Sequence, residues 1–323
     1  MPRTITAPNT LLAPGDIVDV VAPGFRCPPE NLAGGIDFLR RLGLKPRVPA
    51  DLFGDDLLCA NSDARRLSLL KRALAARDSR AVWCVRGGYG AIRIIERLRA
   101  LTPPRNPKLF IGYSDATTVH WLLNQHWKWP SLHGPLLDRL GNAAVPETER
   151  EELQGVLFGG LPEVTFGDLE PLNAAARRRG MIKGSVCGGN LTVLQSLLGT
   201  PLQRRPRGLL FLEDVGERGY RIDRMLEQLS QAGLLRNLDA IVFGSFTGGR
   251  EADGSNLGPQ VLERFAAGQK IPVLRGIQAG HGEYQRPLFL RSPARLTCGA
   301  GAALTISTPG FTGHATSRKA DRA

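Results

Sequence analysis

Ser114 stands in the segment LFIGYSDATTVHWLL, where an apolar run gives way to a helical pattern, so it falls in the turn between a strand and a helix. A serine there projects its hydroxyl from the end of a sheet. The first amide N–H groups of the helix have no partner within it and can hold a developing oxyanion. Read alone, Ser114 or Asp115 is more simply a helix cap, because both residue types are preferred caps.

A nucleophilic serine needs a base within hydrogen-bond reach, usually a histidine steered by a carboxylate. Five histidines are available. His120 and His126 lie on the helix after Ser114 and read as packing or surface residues; His133, in SLHGP, suits a substrate contact or a structural place equally; His314 is in the tail. His281, in IQAGHGEYQ, follows an apolar strand and lies between Gly280 and Gly282, so its backbone can approach another element closely. It is the best candidate base. For the carboxylate, LLFLEDVGERGY ends an apolar strand on Glu213 and Asp214, and spacing does not choose between them. Glu217 reads as a solvated loop acid. The turn VRGGYGA, with Gly87, Gly88 and Gly90, lacks the full dinucleotide spacing and reads better as a nest of backbone N–H groups, with Arg86 beside it.

The elements that must carry these residues follow an α/β rhythm. From Gly15 to about Pro135 the strands DIVDVVA, AVWCV and KLFIGY alternate with the helices ENLAGGIDFLRRLG, closing on Gly43, and SDARRLSLLKRALAARD, opening on Ser62. This pattern predicts an open, doubly wound sheet in an N-terminal α/β domain, residues 1–140. Residues 141–178 lose the rhythm after the charged helix PETEREELQGVLFG and read as a linker. Residues 179–323 predict a second domain, in which MIKGSVC, GLLFLED and DAIVFGSF alternate with helices before the β-rich runs PLFLRSPARLTC and ALTISTPGF. The last residues, from Gly313, are polar and basic and are expected to be disordered.

Composition narrows the class of function. The chain has 323 residues, enough for two domains, with 42% hydrophobic and 22% charged residues. The net charge of +12 comes from 35 Arg and seven Lys spread along the chain, without the clustering and interleaved aromatics of a nucleic-acid footprint. The five cysteines are scattered and never spaced C-x-x-C, so neither a disulfide framework nor a zinc knuckle is indicated. The opening MPRTITAPNTLLAPGD has no signal-length apolar run, and no membrane span is expected. These features point to a cytoplasmic protein that partners neither nucleic acid nor membrane.

Taken in order, VAPG, RGGYGA, GYSDAT, HGP, GGNLTVLQSLLGTP, LFLEDVGERGYRIDRMLEQL, DAIVFGSF and AGHG resemble the LD-carboxypeptidase family of serine peptidases, which also contains the microcin C self-immunity proteins. The resemblance spans most of the chain. It implies that Ser114 is the nucleophile, Glu213 rather than Asp214 the orienting acid and His281 the base, with the N–H groups of Gly88 and Asp115 as oxyanion donors. It implies a flavodoxin-like N-terminal domain with a parallel sheet and a smaller, mixed, β-rich C-terminal domain, with the site between them, and a homodimer. The implied substrate is a murein tetrapeptide that loses its terminal D-Ala during cell-wall recycling, with no metal or organic cofactor. Arg86 is then suited to the free carboxylate of the leaving residue, since a guanidinium pairs with it in a bidentate way. Two departures are visible: Gly24, Phe25 and Arg26 after VAP, where the family has small polar residues, and Phe289, where it often has glycine.

Three other readings compete. An immunity-type amidase acting on peptidyl or aminoacyl nucleotides shares the triad and would need an aromatic surface for a purine near Trp121 to Trp129. An α/β-hydrolase has the same chain order of nucleophile, acid and base, but Ala116 occupies the place of its second glycine. A ligand-binding protein could keep the fold without catalysis.

Overall fold

The computed structural model describes residues 11–310. The opening decapeptide read for a leader, the tail from Gly313 and His314 all lie outside the described residues. The elements run β1 (Ile17–Val21), α1 (Pro29–Arg41), β2 (Lys45–Arg47), α2 (Asp63–Ala75), β3 (Ser79–Cys84), α3 (Ala91–Arg99), β4 (Leu109–Gly112), α4 (Thr117–Trp121), β5 (Ser131–His133), α5 (Leu137–Gly141), α6 (Glu147–Leu157), β6 (Glu163–Phe166), β7 (Glu170–Pro171), α7 (Ala174–Arg177), β8 (Gly180–Asn190), α8 (Leu191–Ser196), β9 (Gly208–Val215), α9 (Gly219–Gln231), β10 (Leu238–Thr247), α10 (Gly258–Ala267), β11 (Val273–Arg275), β12 (Leu288–Leu290), β13 (Pro293–Cys298) and β14 (Ala303–Ser307).

The first sheet has the order β12-β5-β4-β3-β1-β2 and is parallel apart from β12. Its central strands are buried on both faces, which is why β1, β3 and β4 read as continuous apolar runs. Helix α2 opens where the Ser62 side chain accepts from the Arg65 N–H, and α1 is followed by Gly43 at φ +75°.

The second sheet has the order β6-β14-β13-β8-β9-β10-β11-β7, parallel from β8 to β11 and antiparallel towards both edges. The 141–178 segment contributes more than its irregular sequence predicts: α6, both edge strands β6 and β7, and α7. The two sheets are tied together. Strand β12, from the C-terminal part of the chain, pairs with β5, and one apolar cluster runs from Trp83, Ile111 and Leu132 to Phe211, Leu290 and Leu304. The C-terminal ends of β4 and β9 carry Ser114 and Glu213, as ligand sites in parallel sheets generally do.

Candidate active site

Ser114 follows β4 by two residues and holds φ +63°, a left-handed conformation that costs a non-glycine residue on the order of 1 kcal/mol or more. Glycine makes the turn possible on the facing side. A Cβ on Gly87 would stand 2.6 Å from Ser114 Cβ and 2.8 Å from its Oγ. The hydroxyl is half-buried and has no hydrogen-bond partner among the described residues. Ser114–Ala116 form a single 3-10 turn that leads into α4.

Asp115 fastens the glycine turn to this turn. Its carboxylate accepts the Ala91 N–H at 2.9 Å, and a Cβ on Gly24 would stand 2.8 Å from its Oδ2. Burial pushes this carboxyl up to about 6, against the opposing pull of the Ala91 amide, the Arg66 charge and the Gly90 amide. Arg66, itself buried, donates to the carbonyls of Pro23, Gly90 (2.9 Å) and Asn61 (2.9 Å), so it binds three loops around the turn. No hydrogen bond from the Gly88 or Asp115 amide N–H to a protein acceptor occurs among the described residues. Gly88 has φ +86° and lies under Phe25, whose ring would be 2.2 Å from a Cβ there. The Phe25 departure is therefore packed on the glycine turn, whereas Phe289 is buried opposite Leu132 in β12.

His281 and Glu213 come together from elements 68 residues apart. The fully buried carboxylate of Glu213 lies 2.7 Å from His281 Nδ1 and also accepts the His281 backbone N–H at 3.1 Å. This pairing places the ring proton on Nδ1 and leaves Nε2 free as an acceptor. The other carboxylate oxygen, Oε1, is buried without a partner. Tyr113, immediately before Ser114, meets the His281 ring edge-on at 4.7 Å between centroids, which brings the histidine beside the serine turn. Burial pushes the Tyr113 hydroxyl up to about 12.

The loop that carries His281 is held from several sides. Gly280 has φ +121°, and a Cβ there would meet Ser245 Oγ at 2.4 Å and Glu213 Oε2 at 2.8 Å. Ser245 Oγ accepts the Gly282 N–H at 2.9 Å, Thr247 donates to the His281 carbonyl at 3.3 Å, and Gln285 Oε1 accepts the Gly280 N–H at 3.1 Å. Gln285 is held in turn by Glu149 of α6, whose carboxylate accepts its backbone N–H at 2.7 Å. Sequence reasoning passes over these four supports: Ser245, Thr247 and Glu149 act across 34 to 136 residues, and Gln285, although it stands in IQAGHGEYQ with its partner Gly280, carries no signal of the turn it closes.

The remaining acids and histidines sort by environment. Asp214 points away from His281 and accepts from Asn190 Nδ2, the Thr192 N–H and hydroxyl, and the Val215 N–H, all at 2.8–3.1 Å. Glu217 is ion-paired with Arg221 and is not a free solvated acid. His120 bridges Ser131 Oγ (2.7 Å) and the Gly112 carbonyl (2.8 Å) in the core, where burial lowers it to about 4. His133 is fully buried between Tyr113 and Phe211, a structural place and not a surface contact. His126 lies 3.3 Å from the Leu202 carbonyl. Arg86, about half-exposed, stands 3.7 Å from Asp138, a long contact that leaves guanidinium donors free. All four tryptophans, Trp83, Trp121, Trp127 and Trp129, are buried. Among the described residues no cluster of three or more His, Cys, Asp or Glu side chains is arranged to hold a metal, and no helix is long and apolar enough to cross a membrane.

Comparison with known proteins bears on this arrangement. The family description "LD-carboxypeptidase N-terminal domain" matches residues 18–134 and "LD-carboxypeptidase C-terminal domain" matches 183–296. A putative carboxypeptidase of Rickettsia conorii is 36% identical over 282 residues, covering 86% of this chain and 87% of its own. A probable murein peptide carboxypeptidase of Bacillus subtilis is 35% identical, covering 83% and 84%. The microcin C7 self-immunity protein of Escherichia coli is 25% identical over 304 residues, covering 84% and 87%. The crystal structure of muramoyltetrapeptide carboxypeptidase from Oxalobacter formigenes superposes with a TM-score of 0.77 at 26% identity, covering 90% of this chain and 98% of that one.

Proposed function

Because the chain belongs to the LD-carboxypeptidase family, we propose that it is a serine-type hydrolase that removes the terminal D-Ala from murein tetrapeptides. The observation that carries this reading is the Glu213–His281 pair held against Tyr113, next to a serine in a left-handed strand-to-helix turn.

In this mechanism His281 Nε2 takes the proton of Ser114 Oγ as that oxygen attacks the carbonyl of the L-centre joined to D-Ala. Glu213 holds the Nδ1–H tautomer and stabilises the imidazolium that forms. Among the described residues both hydrogen-bond partners of its carboxylate are on His281, which concentrates its charge there. The N–H groups of Gly88 and Asp115, free of acceptors among the described residues, receive the oxyanion; losing one such donor costs about 10²–10³ in turnover. The imidazolium protonates the departing D-Ala amine, leaving an acyl-serine. Water, deprotonated by His281, then releases the tripeptide and restores Ser114. The half-exposed Arg86 guanidinium takes the carboxylate of D-Ala through the donors its long contact with Asp138 leaves open.

The nucleotide-amide reading is disfavoured because Trp121, Trp127 and Trp129 are buried and offer a purine no stacking face. Mass spectrometry of a murein tetrapeptide incubated with the wild type and with Ser114→Ala tests the proposal. Tripeptide formed by the wild type alone is expected; tripeptide formed equally by both would overturn it.

A further inference from the structure

A second feature lies at the opposite ends of the strands. An open surface depression of about 460 Å³ is lined by Arg207, Asp239, Arg291 and Ser292 over the backbone of Gly184 and Gly208. Arg207 immediately precedes Gly208, which opens β9; the far end of that strand carries Glu213, so this depression is about 17 Å along the strand from the candidate active site. Arg291 and Ser292 form the turn where the chain leaves β12 in the first sheet for β13 in the second.

Arg291 is unusual in three respects. It is a non-glycine residue at φ +58°, a conformation that costs on the order of 1 kcal/mol or more. Its backbone is fixed there by the N–H bond to the Val186 carbonyl at 2.7 Å. Its guanidinium is half-buried, and burial lowers its affinity for the proton. Most of the protein's ion pairs engage arginines, yet neither Arg291 nor Arg207 makes an ion pair or side-chain hydrogen bond among the described residues. Asp239 lines the same depression, but its carboxylate approaches Gly184 and forms no ion pair with either guanidinium.

More positive charge stands nearby. Lys128, another non-glycine residue in the left-handed region, at φ +64°, has its proton affinity lowered by burial and then by the charges of Arg291 and Arg204. Among the described residues the Arg204 side chain hydrogen-bonds the Gln203 carbonyl and His126 and no carboxylate. Arg291 and Arg204 both repel Lys128, and none of these three cations, nor Arg207, has a carboxylate partner among the described residues, so the half-buried Arg291 lacks the compensation that a desolvated charge requires. A dianionic ligand supplies it, and guanidinium forks match a tetrahedral oxyanion in a bidentate way.

We infer that Arg207 and Arg291 form a second binding site that takes the phosphoryl group of a soluble phosphorylated compound. Calorimetric titration of the full chain with inorganic pyrophosphate tests it, at low and at moderate salt. The expected result is one saturable site per chain with submillimolar affinity, weaker at the higher salt, unchanged in Ser114→Ala and weakened at least tenfold in both Arg207→Gln and Arg291→Gln. Arg207 is exposed, so its variant reports on the site even if Arg291→Gln does not fold. No saturable binding, or equal binding by Arg207→Gln and the wild type, would overturn the site. Association with phosphatidylglycerol vesicles in the absence of pyrophosphate binding would overturn the assignment to a soluble ligand.

Discussion

A single oxygen of Glu213, Oε2, receives both the Nδ1 of His281, at 2.7 Å, and the backbone N–H of the same residue, at 3.1 Å. The carboxylate therefore fixes the ring's tautomer and the position of its backbone together. Glutamine at this position could offer its amide N–H to Nδ1 and favour the wrong tautomer. Glu213→Gln should lower kcat by about 10³–10⁴ with little change in KM, as loss of a tautomer-fixing acid does. Steady-state hydrolysis of a murein tetrapeptide checks this, and a loss of less than tenfold would remove Glu213 from the mechanism.

Gly280→Ala tests how the loop is seated. Its φ of +121° and the 2.4 Å approach to Ser245 Oγ leave no room for a methyl group. The variant should lose about 1–3 kcal/mol in urea unfolding. It should also lose activity by a larger factor than the folded fraction explains, because Glu213 Oε2 lies 2.8 Å from the same methyl position.

Asp115 makes stability depend on pH in a defined window. Its carboxyl, ordinarily near 3.8, is pushed up to about 6 in the fold by burial. Between those values the native state binds more protons than the unfolded chain, so this group lowers stability as pH rises from about 4 to about 6 and adds no further change above. Asp115→Asn can still accept the Ala91 N–H through Oδ1 and lacks this slope. Urea unfolding should show the variant gaining on the wild type by on the order of 1–3 kcal/mol from pH 4 to pH 6.5. A constant difference across that range would mean that Asp115 is not a desolvated acid.

Arg86→Gln should raise KM for the free-acid tetrapeptide by about 10–100-fold and leave the C-terminal amide nearly unaffected, since a charge-assisted bond to carboxylate contributes roughly 1.5–3 kcal/mol. Equal effects on acid and amide would assign Arg86 to holding Asp138 alone.

Much of this was legible in the chain. The parallel strands announce themselves as apolar runs, and the strand-to-helix turn at Ser114 follows from LFIGYSDAT. The choice between Glu213 and Asp214 was not, because neighbours on a strand face opposite ways and only the fold decides which face meets His281. Glu213 turns to the histidine, and Asp214 turns to Asn190 and Thr192. The edge strands β6 and β7 also escaped notice. They are four and two residues long, too short for alternation to register, and their partners β14 and β11 lie more than 100 residues away. Ser245, Thr247 and Glu149 act through long-range hydrogen bonds that leave no local pattern, and the five-residue bond from Gly280 to Gln285 closes a turn whose residue types do not announce it.

The central claim is that Ser114 attacks the peptide carbonyl before D-Ala. Incubating the purified protein with a murein tetrapeptide in H₂¹⁸O, beside Ser114→Ala, and following the products by mass spectrometry tests it most directly. Wild-type protein should release D-Ala and a tripeptide carrying ¹⁸O in its new carboxylate, while Ser114→Ala should be slower by several orders of magnitude. Tripeptide release by Ser114→Ala at the wild-type rate would contradict the assignment of Ser114 as nucleophile.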